Sequence, residues 1–353
     1  MNSTLYLCWR LLVMFCLFAG LLSACGRSGR TSTSATSAPS LAESGNTPTT
    51  AGFLSPLRPD LFTSPLTSAD MTTRATEIVR DMAALGLDGR IVFHSERSGN
   101  FDVWIMKGNG SDLRQLTTAP GVDVEPAWSP DGQRIVYDTS RDDPQRLSLY
   151  VMNSDGSDQR HLVDLPNGLC MGPAWSPDGK RIAFFSNADG NYELYLVNAD
   201  GTELTNLSQH SANDSRPDWS PDGKRLAFIS DRDEGDNIYV LELESGAITR
   251  LTTGFFIDNL PRWSPDGDTI LFVSNRAGGK GIYKLPASGG VPTLVVSPPQ
   301  NDDSPAWAGG GQFILFSSER SRDWELYVMR ADGSDIRQLT LSEKMDRFPV
   351  WTP

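Results

Sequence analysis

PAWSPDGKRIAFFS, Pro173–Ser186, holds a short strand ending in Trp175, a turn, and an apolar second strand. In the turn, Pro177 presets φ for the second position of a type I turn, Asp178 can bond nearby backbone, and Gly179 takes the positive φ that follows. The pattern recurs along the chain. Trp128, Trp175, Trp219, Trp263, Trp307 and Trp351 are separated by 47, 44, 44, 44 and 44 residues. A fixed period of this size marks a repeat architecture.

Two further markers keep the period. The aromatics Trp104, Tyr150, Tyr195, Tyr239, Tyr283 and Tyr327 recur at 46, 45, 44, 44 and 44 residues, and the strands RIVFHS, RIVYDTS, RIAFFS, RLAFIS, TILFVS and FILFSS recur with them. Asn109-Gly110, Asp155-Gly156, Asp200-Gly201 and Asp332-Gly333 are hairpin signals between a third and a fourth strand. Four short strands per repeat is the size of a propeller blade. The spacing predicts an all-β fold over residues 88–353: a six-bladed β-propeller of four-stranded blades.

The two ends of this region complement each other. GRIVFHS opens it without a Trp strand ahead, and FPVWTP, Phe348–Pro353, ends it with a Trp strand that nothing follows. We expect the C-terminal inner strand to join three N-terminal strands in one blade, with Phe348–Trp351 beside Ile91–His94, so that no sheet edge is left at the axis. The same ending argues at this stage against an appended catalytic domain.

Ahead of the repeats lie three segments: residues 1–24, 25–70 and 71–87. Residues 11–22 form an apolar run after Arg10; as helix it would measure about 18 Å, short of a bilayer core of about 30 Å, so it reads as a removable export signal. Leu22-Ser23-Ala24-Cys25 resembles the lipobox of bacterial lipoproteins, and this implies cleavage before Cys25 and acylation of its sulfur. An ordinary secretory signal with an incidental Cys25 is the alternative. Residues 26–70 are rich in Ser, Thr, Pro, Gly and Ala and read as a flexible tether. Residues 71–87 read as a short helix or linker. The anchor would make the protein extracytoplasmic: outer-membrane in a two-membrane envelope, because Gly26 rather than Asp follows the Cys, or on the outer face of a single membrane.

Repeats built on P-x-W-S-P-D-G-K-R-I-A-F-x-S resemble those of TolB-type propellers, and the resemblance covers residues 88–353. It implies six blades and a protein- or peptide-binding role in the cell envelope. The chain departs from that family ahead of the propeller, where members carry an α/β domain and this sequence has room only for a helix. Net charge is −13, and −14 once residues 1–24 with Arg10 are removed, which argues against nucleic acid as a partner. We expect a monomer.

Catalytic motifs are scarce. No G-x-S-x-G elbow occurs, and His94, His161 and His210 lack ligand-like spacing. The turns resembling NSDGSD lack the downstream Glu of a calcium loop. Cys170 reads as a small apolar filler. These features predict no enzyme, no metal and no cofactor; charge alone would admit a cation at one place, described next. The alternative function is a propeller that binds or acts on a carbohydrate or other small ligand in its channel.

That place lies three residues before each motif proline, where Asp123, Asp214, Asp258, Asp302 and Asp346 recur and Cys170 takes the sixth position. Two readings stand: an incomplete carboxylate ring in the channel for a cation, basic peptide or hydroxyl-rich ligand, or strand-entry residues that accept backbone N–H bonds. Neighbours that differ between blades are candidates for recognition: Glu125, Met171, Arg216, Asn259, Asp303 and Arg347.

Overall fold

The computed structural model describes residues 68–296 and 300–353. The signal peptide, Cys25 and the tether as far as residue 67 lie outside the described residues. The chain divides into two compact units, Met1–Met71 and Thr72–Pro353, and the account below concerns the second.

Six antiparallel four-stranded sheets make up the described fold. Blade 1 is Asp346–Thr352, Arg90–Ser95, Asp102–Lys107 and Arg114–Gln115, from the axis outward. Blades 2 to 6 have inner strands Asp123–Trp128, Cys170–Trp175, Asp214–Trp219, Asp258–Trp263 and Asp302–Ala308, each followed outward by the next three strands of the chain. In blade 1, Ile91 pairs with Trp351 and Ser95 with Asp346. The ring therefore contains one sheet built from both ends of the repeat region.

Second strands are apolar on both faces because each blade is covered on both sides. In blade 4, Leu226 and Phe228 pack towards blade 3 with Phe185 and Leu194, while Ala227 and Ile229 pack towards blade 5 with Trp263 and Phe272. Phe93, Tyr137, Phe184, Phe228, Phe272 and Phe316 hold one repeat position and are fully buried, each contributing roughly 1.5–3 kcal/mol of transfer free energy. Helix α1, Ser68–Ala83, has Asp70 in its first turn and Arg80 in its last, matching the helix dipole. Its Ile78 and Met82, with Leu85 and Leu87 beyond it, cover Phe93, Phe313 and Leu339 where blades 6 and 1 meet.

The WSPDG turns form as their residues dictate. Ser129 Oγ donates to Asp131 Oδ1 at 2.5 Å, Ser176 to Asp178 at 2.6 Å and Ser220 to Asp222 at 2.5 Å. The same Asp oxygens accept the N–H two residues on, from Gln133, Lys180 and Lys224. Gly179, Gly223 and Gly267 face Pro130, Pro177 and Pro221 of the preceding blade. The turns thus touch one another around one end of the axis.

Every inner strand carries a bulge two residues after its first. Glu125, Gly172, Arg216, Leu260, Ser304 and Phe348 all have φ between 49° and 58°, and pairing with the second strand shifts register there in all six blades. Five of these are not glycine, and left-handed backbone costs about 1–2 kcal/mol for such residues. In the five blades whose bulged residue is not glycine, the bulge re-aims that residue's side chain.

Candidate functional site

The five repeated aspartates do not form an open ring. Each is at most 1% exposed and is paired with an arginine from the loop after its own second strand. Asp214 meets Arg232 at 2.9 and 2.8 Å, Asp258 meets Arg276 at 2.6 Å through both oxygens, and Asp302 meets Arg320 at 2.8 Å. Asp123 lies 3.4 Å from Arg141, and Asp346 contacts Arg97. Each arginine also bonds the Ser or Thr ending the second strand and lies over two blade aromatics: Arg232 sits 5.5 Å from Phe228 and 5.2 Å from Tyr239.

Blade 3 supplies the control. Cys170 replaces the Asp and Ala188, eighteen residues on, replaces the Arg. Both charges are lost together, as they must be if each exists for the other. Burial pushes the Cys170 thiol up to about 12, so it stays protonated. The carboxylates are therefore structural staples within blades, a role neither sequence reading included, and each already has a cation beside it. Among the described residues no group of His, Cys, Asp and Glu is placed to hold a metal ion.

The bulged layer lies one level along the axis. Its backbone N–H groups need acceptors, and five of the six blades use one of two devices. Glu125 N–H donates to His94 Nδ1 at 3.2 Å, Gly172 N–H to Asp138 Oδ2 at 3.1 Å, and Phe348 N–H to Ser317 Oγ at 3.3 Å, each acceptor coming from the neighbouring blade. Where that neighbour is Ile229 or Val273, Asn259 and Asp303 instead accept the following N–H, each at 2.7 Å. Asn259 thus serves its own strand. The polar fifth residue in RIVFHS, RIVYDTS and FILFSS was the signal in the sequence; the strand position of His94 already read as that of a satisfied core or interface histidine, whereas Asp138 was missed for want of the bulge.

Charges in this layer neutralise one another. Glu125 of blade 2 contacts Arg216 of blade 4 across Gly172, whose missing side chain leaves the room: a Cβ there would stand 2.6 Å from Phe185 and 3.4 Å from Glu125. Arg216 lies 5.1 Å from the ring of Phe185 and 5.7 Å from that of Phe348. Asp303 Oδ2 takes Lys280 at 2.7 Å and Arg347 at 3.0 Å. Burial pushes the Asp303 carboxyl up, yet Lys280 and Arg347 hold it at about 2. Burial, then Arg347 and Arg216, push His94 well below the usual range, so it is neutral. Burial and the adjacent Glu125 push Asp138 well above the carboxylate range.

Phe348, Leu260 and Val273 pack together at the same level. Side chains of blades 1, 2, 4 and 5 therefore meet at the axis as a floor. Towards the WSPDG turns this floor opens into a cavity of about 250 Å³ walled by the P-x-W segments of the inner strands. At the x position, blades 1, 2, 3 and 6 present Val350, Ala127, Ala174 and Ala306, whereas blades 4 and 5 present Asp218 and Arg262, 3.4 Å apart. Glu125 and Arg216 line the cavity; Asn259, Asp303, Arg347 and the five staple aspartates do not. The pseudo-symmetry is broken by charge on one wall only.

A rigid ring closed at mid-depth, with an asymmetric cavity at one mouth, defines a propeller scaffold suited to receiving a ligand on its axis. The family follows from comparison. The TolB beta propeller domain, PD40, matches residues 143–236 and 232–353, and the chain belongs to that family. The Protein TolB homolog of Chlorobaculum tepidum is 34% identical over 121 residues, which are 34% of this chain and 27% of the relative. The Tol-Pal system protein TolB of Nitratidesulfovibrio vulgaris is 41% identical over 49 residues, 14% of this chain and 11% of the relative. The matched stretches span less than a third of either relative. The crystal structure of TolB from Acinetobacter baumannii shares the fold with a TM-score of 0.68 at 23% identity, over 82% of this chain and 74% of that one.

Proposed function

We propose that this chain is a protein- or peptide-binding propeller of the cell envelope, exported and held to a membrane by acylation of Cys25, with a segment of its partner entering the axial cavity. The observation that carries the reading is the cavity itself: a floor of mutually paired charges and packed aromatics beneath a mouth ringed by rigid turns. Charges committed to one another suit holding a ligand more than moving protons. Kinship with proteins named for the Tol-Pal system supports an envelope setting.

The test is covalent capture of partners in intact cells, comparing the wild type with Ala127→Trp, which fills the cavity from its half-buried wall. A thermal melt confirms folding of the variant. We expect Ala127→Trp to lose the partner; an unchanged partner set overturns the reading. Cys25→Ser is expected to move the protein from the membrane to the soluble fraction.

A further inference from the structure

Arg262 is the most exposed and most loosely paired cation lining the cavity among the described residues. Of the five N–H donors of a guanidinium, it uses one, to Asp218 Oδ1 at a long 3.4 Å, and its side chain is 26% exposed. The other cations near the axis are committed: Arg216 to Glu125 and to two aromatic faces, Arg347 and Lys280 to Asp303. The acids at the cavity are better served than Arg262. Asp218 Oδ2 accepts the Trp263 N–H at 2.7 Å, and Glu125 is closed on Arg216.

We infer that the cavity binds a carboxylate-bearing peptide segment, its carboxylate on Arg262 and an adjacent apolar side chain against the Trp, Pro and Ala walls; this rests on the peptide-binding reading above. A bidentate guanidinium–carboxylate pair is shorter and stronger than the contact it would displace. Asp218 would lose only its long bond to Arg262 and keep its backbone partner. The volume of about 250 Å³ lies just below the usual ligand-pocket range of about 300 Å³ upward, room for one large side chain with its carboxylate rather than a folded element. A terminal α-carboxylate and an acidic side chain present the same chemistry.

The full chain is titrated with N-acetylphenylalanine, N-acetyl-aspartyl-phenylalaninamide and N-acetyl-asparaginyl-phenylalaninamide, reading the indole N–H signals of the tryptophans that line the cavity. At least one acidic probe is expected to bind about tenfold or more tighter than the neutral one, the margin of a charge-assisted bond. The first probe winning means a chain end, the second an internal acidic residue. Arg262→Gln, which keeps the backbone carbonyl that accepts Trp307 Nε1, should erase the preference. Asp218→Asn, which retains an acceptor for Trp263, should strengthen acidic binding about threefold by freeing Arg262. Equal affinity of all probes, no binding, or a preference that survives Arg262→Gln overturns the carboxylate subsite. In those cases loss of the partner in Ala127→Trp still upholds peptide binding, so the two ideas fail separately.

Discussion

Removing Asp258 tests whether the repeated carboxylates hold blades together or hold a ligand. Its side chain is fully buried, and Arg276 meets both oxygens at 2.6 Å while lying 5.2 Å from the rings of Phe272 and Tyr283. Asp258→Ala strands a guanidinium only 15% exposed, and breaking a buried pair costs about 3–5 kcal/mol; the bond to Ser274 Oγ at 2.9 Å survives, which places the loss near 3. Arg276→Ala strands the deeper carboxylate and should cost about 4 kcal/mol. The double change Asp258→Ala/Arg276→Ala removes both charges together, as blade 3 does with Cys170 and Ala188, and should cost about 2 kcal/mol. The singles would then exceed the double by several kcal/mol, a coupling at or above the usual upper limit of about 3 for residues in contact. Urea unfolding at pH 7, with amide exchange of Thr269–Ser274 as the local probe, measures each variant. Effects that add within about 0.5 kcal/mol would refute the staple. So would an Asp258→Ala protein of unchanged stability that has lost its partner, and that result would restore the carboxylate ring as a ligand site.

Asp303 has a folded pKa of about 2 against 3.8 as reference, so its ionised form is favoured by about 2 kcal/mol; this stability is complete above about pH 4 and lost as pH falls through 2, and Asp303→Asn should cost about 2 kcal/mol at pH 7 but less than about 1 kcal/mol at pH 2.5 in urea titrations. Asp236 is the opposite case: burial, then Asp231 and Asp258, push it up to about 6, so a folding penalty builds as pH rises from about 4 and is complete above about 6, and Asp236→Asn should raise the melting temperature at pH 8 while changing it little at pH 4. Gly89→Ala should cost at least about 2 kcal/mol and expose the C-terminal strand to proteolysis, because φ is +96° and a Cβ would stand 2.3 Å from the Thr352 carbonyl oxygen and 2.8 Å from Trp351 Nε1.

The turns, the blade order and the count of six were legible because each is local or periodic: Pro177, Asp178 and Gly179 act within a few residues, and the Trp spacing counts repeats without any geometry. The pairing of Asp214 with Arg232 was also within reach, since the eighteen-residue spacing recurs in blades 2, 4, 5 and 6 and fails in both members in blade 3; attention to the aspartates alone hid it. The site is different in kind. Glu125 and Arg216 are 91 residues apart, and they meet because two bulges turn them inward over a glycine in the blade between them. Nothing in the local sequence announces a left-handed residue at Glu125, Arg216, Leu260 or Phe348.

What the sequence alone determined is the ring: a period of 44, strands apolar on both faces, and turns written in Ser, Pro, Asp and Gly. Which charges are spent inside blades and which remain for a ligand was decided only in three dimensions. Ion pairing depends on distance through space: packing of adjacent blades brings Asp218 to Arg262 and Asp303 to Arg347, each one repeat apart, and closure of the ring brings Arg97 to Asp346.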